Sequence, residues 1–170
     1  HRGGNGLSVA YRFLVDGHIG IHDDRWLTYP WGVNGGKPGM RSTKILVRSD
    51  GSKEYIPAKC EGIKVQKGDL LYFNTWGGGG WGDPLERDPS IVLSDVTKKL
   101  VSIDGAKRYG VVINDDLTLN DKETKTLRSK MAKDTVKDEM FNFGGTIEDI
   151  KARSLEETNL EPPVSPTFQS

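Results

Sequence analysis

The sequence predicts an α+β chain: a mainly antiparallel β region, then a helix-turn-helix unit, then a polar helical tail. Three observations predict it. Short apolar runs that alternate with polar residues, separated by turn residues, fill the first half. Most of the 21 glycines lie in that half as well, where turns and loops use them. After Asp88-Pro89 the apolar spacing changes from two residues to four, and beyond Asn114 polar and charged residues dominate. The resulting division is 1–87, 88–113 and 114–170.

Within the β region, Leu7, Val9, Tyr11, Phe13 and Val15 occupy alternate positions and would share one buried face of a strand. Asp16-Gly17 is a hairpin signal, and His18-Ile19-Gly20-Ile21-His22 reads as the returning strand. Residues 29–40 hold Pro30, Gly32, Gly35, Gly36, Pro38 and Gly39, too many interruptions for regular structure, so they read as an ordered loop pinned by Trp26, Tyr29 and Trp31. Thr43–Arg48 and Glu54–Pro57 form a second pair around the turn Ser49-Asp50-Gly51-Ser52. Gly62–Val65 and Leu70–Thr75 follow, joined by Lys67-Gly68-Asp69.

Asp88 is a good N-cap and Pro89 suits the first helical position. Val92, Val96 and Leu100, with Ile91 beside them, then describe one buried helical stripe. Ser102 caps a second short helix, Gly110 stands where it ends, and Val111-Val112-Ile113 closes the unit, which reads as a helical pair packed against the sheet. Lys122 to Met140 favours helix through Leu127, Met131 and Val136. Gly144-Gly145 interrupts it, Thr146 to Ile150 starts another, and Glu161 to Pro166 reads as an extended or disordered tail.

Equal numbers of basic and acidic residues, 24 each, leave no long-range field to draw nucleic acid or an anionic membrane surface. No apolar run is long enough to span a bilayer. The single cysteine, Cys60, excludes an internal disulfide framework and fits a reducing compartment, so the expected location is cytoplasmic. The chain begins at His1 without a methionine, which reads as a piece of something longer.

The run Gly77 to Gly80 offers freed backbone N–H groups for an anion, but a phosphate loop needs Gly-Lys-Ser/Thr leading into a helix, and here Trp81-Gly82-Asp83-Pro84 follows. A tight chain reversal, or close backbone approach to a neighbouring segment or subunit, is the favoured reading. His18 and His22 share a strand face beside Asp23 and Asp24, but about 13 Å of strand separates them, too far for one metal ion. Asp23-Asp24-Arg25 reads either as a salt-bridge cluster holding the aromatic loop or as the polar edge of a site. Cys60 lacks the His and Asn partners of a nucleophilic cysteine, and no nucleophile elbow marks a serine. The residues alone yield no complete active site.

His1-Arg2-Gly3-Gly4-x-Gly6, Tyr11-Arg12-Phe13, Asp24-Arg25 and Pro30-Trp31-Gly32-x-x-Gly35-Gly36-x-Pro38-Gly39 together resemble the late region of hydantoinase B/oxoprolinase proteins. Lys67-Gly68-Asp69 through Gly77-Gly78-Gly79-Gly80-Trp81-Gly82-Asp83-Pro84 to Asp88-Pro89 resembles it more closely still. The likeness continues into Val92-Leu93-x-Asp95-Val96 and Tyr109-Gly110-Val111-Val112.

That family includes 5-oxoprolinases, ATP-dependent N-methylhydantoinases, and subunits of acetone and acetophenone carboxylases. The resemblance implies ATP-dependent hydrolysis of the C–N bond of a cyclic amide. It implies two partners, an upstream hydantoinase B-type portion and a hydantoinase A-type subunit or domain, and an oligomeric enzyme inactive without them. ATP and a divalent metal would belong to the complete enzyme, with no cofactor in this chain. His1, Arg2, Asp24 and Arg25 become candidates for lining the shared site. The competing expectations are a segment of a ketone carboxylase subunit, and a non-catalytic truncated family member serving as an assembly or binding module. The tail beyond Asn114 has no counterpart in the resemblance and reads as an assembly element.

Overall fold

The computed structural model of the protein describes residues 1–133 and 140–164. In chain order the strands are β1 (Ser8–Arg12), β2 (Gly17–His22), β3 (Gly32–Val33), β4 (Thr43–Val47), β5 (Lys53–Tyr55), β6 (Lys59–Val65), β7 (Leu70–Asn74) and β8 (Phe141–Asn142). The helices are α1 (Pro89–Thr97), α2 (Ile103–Ala106), α3 (Asp121–Met131) and α4 (Ile147–Thr158). Antiparallel strands with segregated helices make the chain α+β, as the sequence predicts. The described residues form two compact units, each built from separated stretches: 1–5 with 31–39, 78–133 and 140–142, and 6–30 with 40–77 and 143–164.

The second of these is the sheet unit. Its four-stranded sheet runs β1-β7-β4-β5, and β2 pairs with β6. Register puts Val9, Phe73 and Lys44 in one row and Tyr11, Leu71 and Leu46 in the next, so these residues share a face. That face meets Ile21, Ile56 and Val65 to form the core, with Phe13, Ile19, Cys60 and Ile63 packed around it. Helix α4 begins with a capping box between Thr146 and Asp149, and buries Ile150 and Ser154.

The Asp16-Gly17 hairpin does not form. β1 pairs with β7 and β2 with β6, so 7–22 is one side of a bent ladder whose other side is 59–74. The connection is held against the turn at 66–69. Phe13 N donates to Asp69 O at 3.0 Å, Gly68 N to Phe13 O at 2.8 Å, and Lys67 N to the Asp16 carboxylate at 2.8 Å. Long-range pairing between matched apolar faces outweighs the local turn signal. The predicted buried row fails in part as well: Leu7 and Tyr11, at the open edge of the sheet, are 69% and 54% exposed, and Val15 lies in the connection.

The other unit carries the helices and its own core of Val92, Val96, Ala106, Val111 and Ile113. Asp88 caps α1 through Ser90 N, and Pro89 opens it. The helix stops at Thr97, so Leu100 lies beyond the stripe and stays 40% exposed, and Ile91 faces outward. Ser102 caps α2, and Gly110 ends the following 3₁₀ turn in the left-handed region at φ 63°. Asn120 caps α3, which ends at Met131 rather than reaching Met140. Val136 and Pro166 lie outside the described residues, while 159–164 have no regular structure. Residues 29–40, expected to be wholly irregular, contain β3, which pairs with β8.

Candidate functional site

The glycine-rich run at 77–80 does its work through its backbone. In the helical unit, residues 78–82 lie between two other glycine-rich stretches. On one side Gly78 N donates to Gly4 O at 2.9 Å, and Trp81 N to His1 O at 2.9 Å. On the other, Val33 N donates to Gly80 O at 2.9 Å, Gly80 N to Lys37 O at 2.9 Å, and Gly82 N to Val33 O at 3.0 Å. The segments approach too closely for side chains between them. A β-carbon on Gly3 would overlap Gly78 O, one on Gly36 would overlap Gly80 O, and one on Gly79 would overlap Trp31 O. The run is thus the middle member of a knit of three segments, and the N–H groups of Gly78 and Gly80 go to chain carbonyls rather than to an anion.

His1 and Arg2 belong to this knit. The His1 ring lies 6.0 Å from that of Trp81, and the two residues exchange main-chain hydrogen bonds. Arg2 points to the buried Asp95 of α1, its Nε 3.5 Å from the carboxylate, and donates to Asn5 Oδ1 and Gly3 O. Asp95 also accepts from Arg87 at 2.7 Å. Arg87 lies over the Tyr109 ring, and its carbonyl accepts from Arg128 of α3. One buried carboxylate therefore gathers the 1–5 stretch, the turn before α1 and, through Arg87, helix α3.

Asp24 and Arg25 lie in the sheet unit. The Asp24 carboxylate is exposed and 3.4 Å from Lys59 Nζ, while its carbonyl oxygen lies 2.9 Å from Ser42 Oγ. Arg25 adopts φ 59°, a left-handed conformation uncommon for a residue with a β-carbon, and its carbonyl accepts from Ser42 N at 2.8 Å. Its guanidinium reaches Thr28 Oγ1 at 3.5 Å. So His1 with Arg2 and Asp24 with Arg25 occupy different units. His18 and His22 are both exposed, with His22 2.5 Å from the Glu61 carboxylate. Among the described residues no group of three or more His, Cys, Asp or Glu could hold a metal ion.

In one polar cluster of the sheet unit sequence reasoning finds Asp23 but not its partner, and a second cluster escapes it altogether. Asp23 and Lys44 form an ion pair with side chains 5% and 1% exposed, bridged by Ser42, whose Oγ donates to Asp23 at 2.5 Å. Alternation along β4 is the available signal, since it places Lys44 on the same face as Leu46. In the second cluster both Arg41 and Arg153 lie over the Tyr29 ring, their guanidinium carbons 5.4 and 5.5 Å from its centroid. Arg41 also pairs with Glu157 and donates to Trp26 O, and Arg153 donates to Tyr29 Oη at 3.2 Å and to Gly144 O. This cluster ties α4 to the Trp26–Tyr29 stretch and has no local signal, because its α4 members lie over a hundred residues from Tyr29 and Arg41.

The backbone knit and the antiparallel ladder define an α+β protein in which glycines at 3, 36 and 79 permit close backbone approach of separated segments. Residues 1–84 match the family described as hydantoinase B/oxoprolinase. An uncharacterized protein of Methanocaldococcus jannaschii is 39% identical over 132 residues, which are 75% of this chain and 23% of that protein. The B-type component of a putative D-/L-hydantoinase of a Pseudomonas species is 32% identical over 130 residues, 75% of this chain and 22% of that protein. The crystal structure of the ATP-dependent caprolactamase of Pseudomonas jessenii superposes with a TM-score of 0.60 at 29% identity, covering 73% of this chain and 22% of that one. Through these residues the chain belongs to the hydantoinase B/oxoprolinase family. It spans less than a quarter of the length of these relatives. No described helix is long and apolar enough to cross a membrane.

Proposed function

We propose that this chain is a segment of an ATP-dependent amidohydrolase that opens the C–N bond of a cyclic amide. It would act only together with an upstream hydantoinase B-type portion and a hydantoinase A-type subunit or domain. The observation that carries this reading is the match, over 130 residues, to the B-type component of a putative hydantoinase. The likeness to an ATP-dependent caprolactamase supports the same chemistry. In this reading ATP and a divalent metal belong to the complete enzyme and would be held by the other portions.

In this reading the chain shapes the shared site more than it performs the reaction. The His1 ring and the Asp24 carboxylate are exposed, so both are available to a substrate or a partner. Arg2 acts through Asp95 and is a positioning residue, and the left-handed turn at Arg25 sets the direction in which Asp24 is presented. The test is reconstitution with the two partners, measuring ADP release with 5-oxoproline, hydantoin or caprolactam. Lactam-dependent ATP hydrolysis that falls in Asp24→Asn, with assembly unchanged, is the expected result. Absence of lactam stimulation in a fully assembled complex overturns the proposal. Bicarbonate-dependent carboxylation of a ketone would replace it by the carboxylase reading.

A further inference from the structure

The buried cluster of Asp23, Ser42 and Lys44 fixes main chain as well as side chains. Lys44 Nζ donates to the Asp23 carboxylate and to Ser42 Oγ at 3.1 Å, and the Ser42 hydroxyl donates to Asp23 at 2.5 Å. The ammonium also lies over the Phe73 ring, 5.5 Å from its centroid. The main chain of the same stretch is held at both ends. Asp23 N donates to Ala58 O at 2.8 Å, and Ser42 N to Arg25 O at 2.8 Å. Between those two bonds the chain reverses through Arg25 at φ 59°. A left-handed residue with a β-carbon persists where its surroundings over-determine it, and the bonds on either side of Arg25 do so. Asp23 and Asp24 are neighbours, and drawing the first carboxylate inward turns the second out, their side chains being 5% and 77% exposed.

We propose that Lys44 and Ser42 are positioning residues for Asp24, a role that rests on the reading of Asp24 as a residue of the shared site. They hold the Asp23 side chain and the Arg25 carbonyl, and with them the chain reversal that sets the direction of the Asp24 carboxylate. Energetics favour this role over a purely stabilising one. A buried ion pair adds little net stability compared with apolar side chains of the same size. Stability therefore does not explain a lysine two residues before Leu46 on the core face of β4. What the pair supplies, and two apolar side chains cannot, is direction: charge-assisted bonds between fixed donor and acceptor positions. Asp23, Ser42 and Lys44 are all buried, so they act through the exposed Asp24 rather than on a substrate.

The test combines Asp23→Leu with Lys44→Met, which keeps the core filled and removes the directional bonds. Hydrogen exchange on the full chain should show the amides at 23 and 42 exchanging faster, on the order of tenfold or more, while those of Phe13 and Gly68, bonded elsewhere in the same unit, are unchanged. In the reconstituted enzyme the double variant should lower kcat for lactam-dependent ATP hydrolysis and leave KM for ATP as it was. Added to Asp24→Asn it should lower kcat no further, because changes that act through one carboxylate do not add. Ser42→Ala, which removes one hydroxyl and leaves the ion pair, repeats the cycle should the double variant fold poorly. Its loss of kcat should be smaller, and again absent in the Asp24→Asn background. Unchanged exchange at 23 and 42 in a double variant with a wild-type melting midpoint overturns the proposal, as does a loss of kcat that adds to that of Asp24→Asn. Full activity of Asp24→Asn alone overturns instead the placing of Asp24 at the site, and the exchange rates then decide the hold on the turn by themselves.

Discussion

Lys44 is the second residue of β4, on the face that builds the core, and its ammonium is removed from water together with the Asp23 carboxylate. Such a pair contributes little net stability relative to apolar residues of the same size, because desolvation offsets most of the attraction. Losing one partner is different, since the other is left buried and uncompensated at a cost of about 3–5 kcal/mol. Asp23→Ala or Lys44→Ala should each lower the denaturant midpoint sharply, whereas Asp23→Leu combined with Lys44→Met should restore most of it. A double variant as unstable as the singles would show that the pair is needed for itself. Asp69 makes a pH prediction at the same scale. Its fully buried carboxylate accepts from Gln66 N at 2.9 Å, from Arg48, and from Ser49 N, and these bonds, the Gln66 one first, hold its pKa below the usual range. A group whose pKa is depressed on folding contributes stability above its unfolded value of about 3.9, and loses it as the pH falls through the folded value. Asp69→Asn should therefore lower the thermal midpoint at neutral pH, and the gap to wild type should narrow in acid. A gap that stayed constant across the acid range would assign the effect to hydrogen-bond geometry rather than charge.

At the scale of elements, the knit of 1–4, 33–37 and 78–82 is intolerant of added atoms. Gly79→Ala would drive a methyl group into Trp31 O, and a backbone carbonyl has no rotamer with which to yield. The expected destabilisation is at or above the ~1–3 kcal/mol of ordinary overpacking. Gly4→Ala, where a β-carbon meets nothing, should be close to neutral, and thermal melts of the two separate crowding from general loss of glycine. What is legible in the sequence at this scale follows the range of the interaction. Asp88-Pro89, Ser102 and Thr146 are readable as helix starts because a cap bonds within three residues of itself. The β1–β2 hairpin is a wrong expectation because the partner that wins is some forty to sixty residues away, and nothing local in Asp16-Gly17 encodes it. The candidate site divides the same way. His1-Arg2 and Asp24-Arg25 stand out as motifs, but Asp95, Trp81 and Ser42, which decide where those side chains and carbonyls go, are separated from them in sequence.

At the scale of the whole molecule, both units are assembled from discontinuous stretches, so each depends on a late segment of the chain. The sheet unit depends on α4, which buries Ile150 and Ser154 and brings Arg153 over the Tyr29 ring beside Arg41, while Glu157 neutralises Arg41. The core of the helical unit, Val92 with Val96, Ala106, Val111 and Ile113, uses nothing beyond residue 142. Truncation after Asn142 should therefore act on one unit. It would leave the Arg41 guanidinium with its Trp26 carbonyl but no carboxylate, and would uncover the face on which Ile150 had packed. Native-state hydrogen exchange should show protection lost around 26–29 and 41–42 but retained in α1 and at Val33, Gly80 and Gly82, whose amides bond within the knit. Uniform loss of protection in both regions would mean that the two cores melt as a single cooperative block. Retention everywhere would show that the sheet unit holds without its helix, and that the Arg41–Tyr29–Arg153 cluster serves something other than stability.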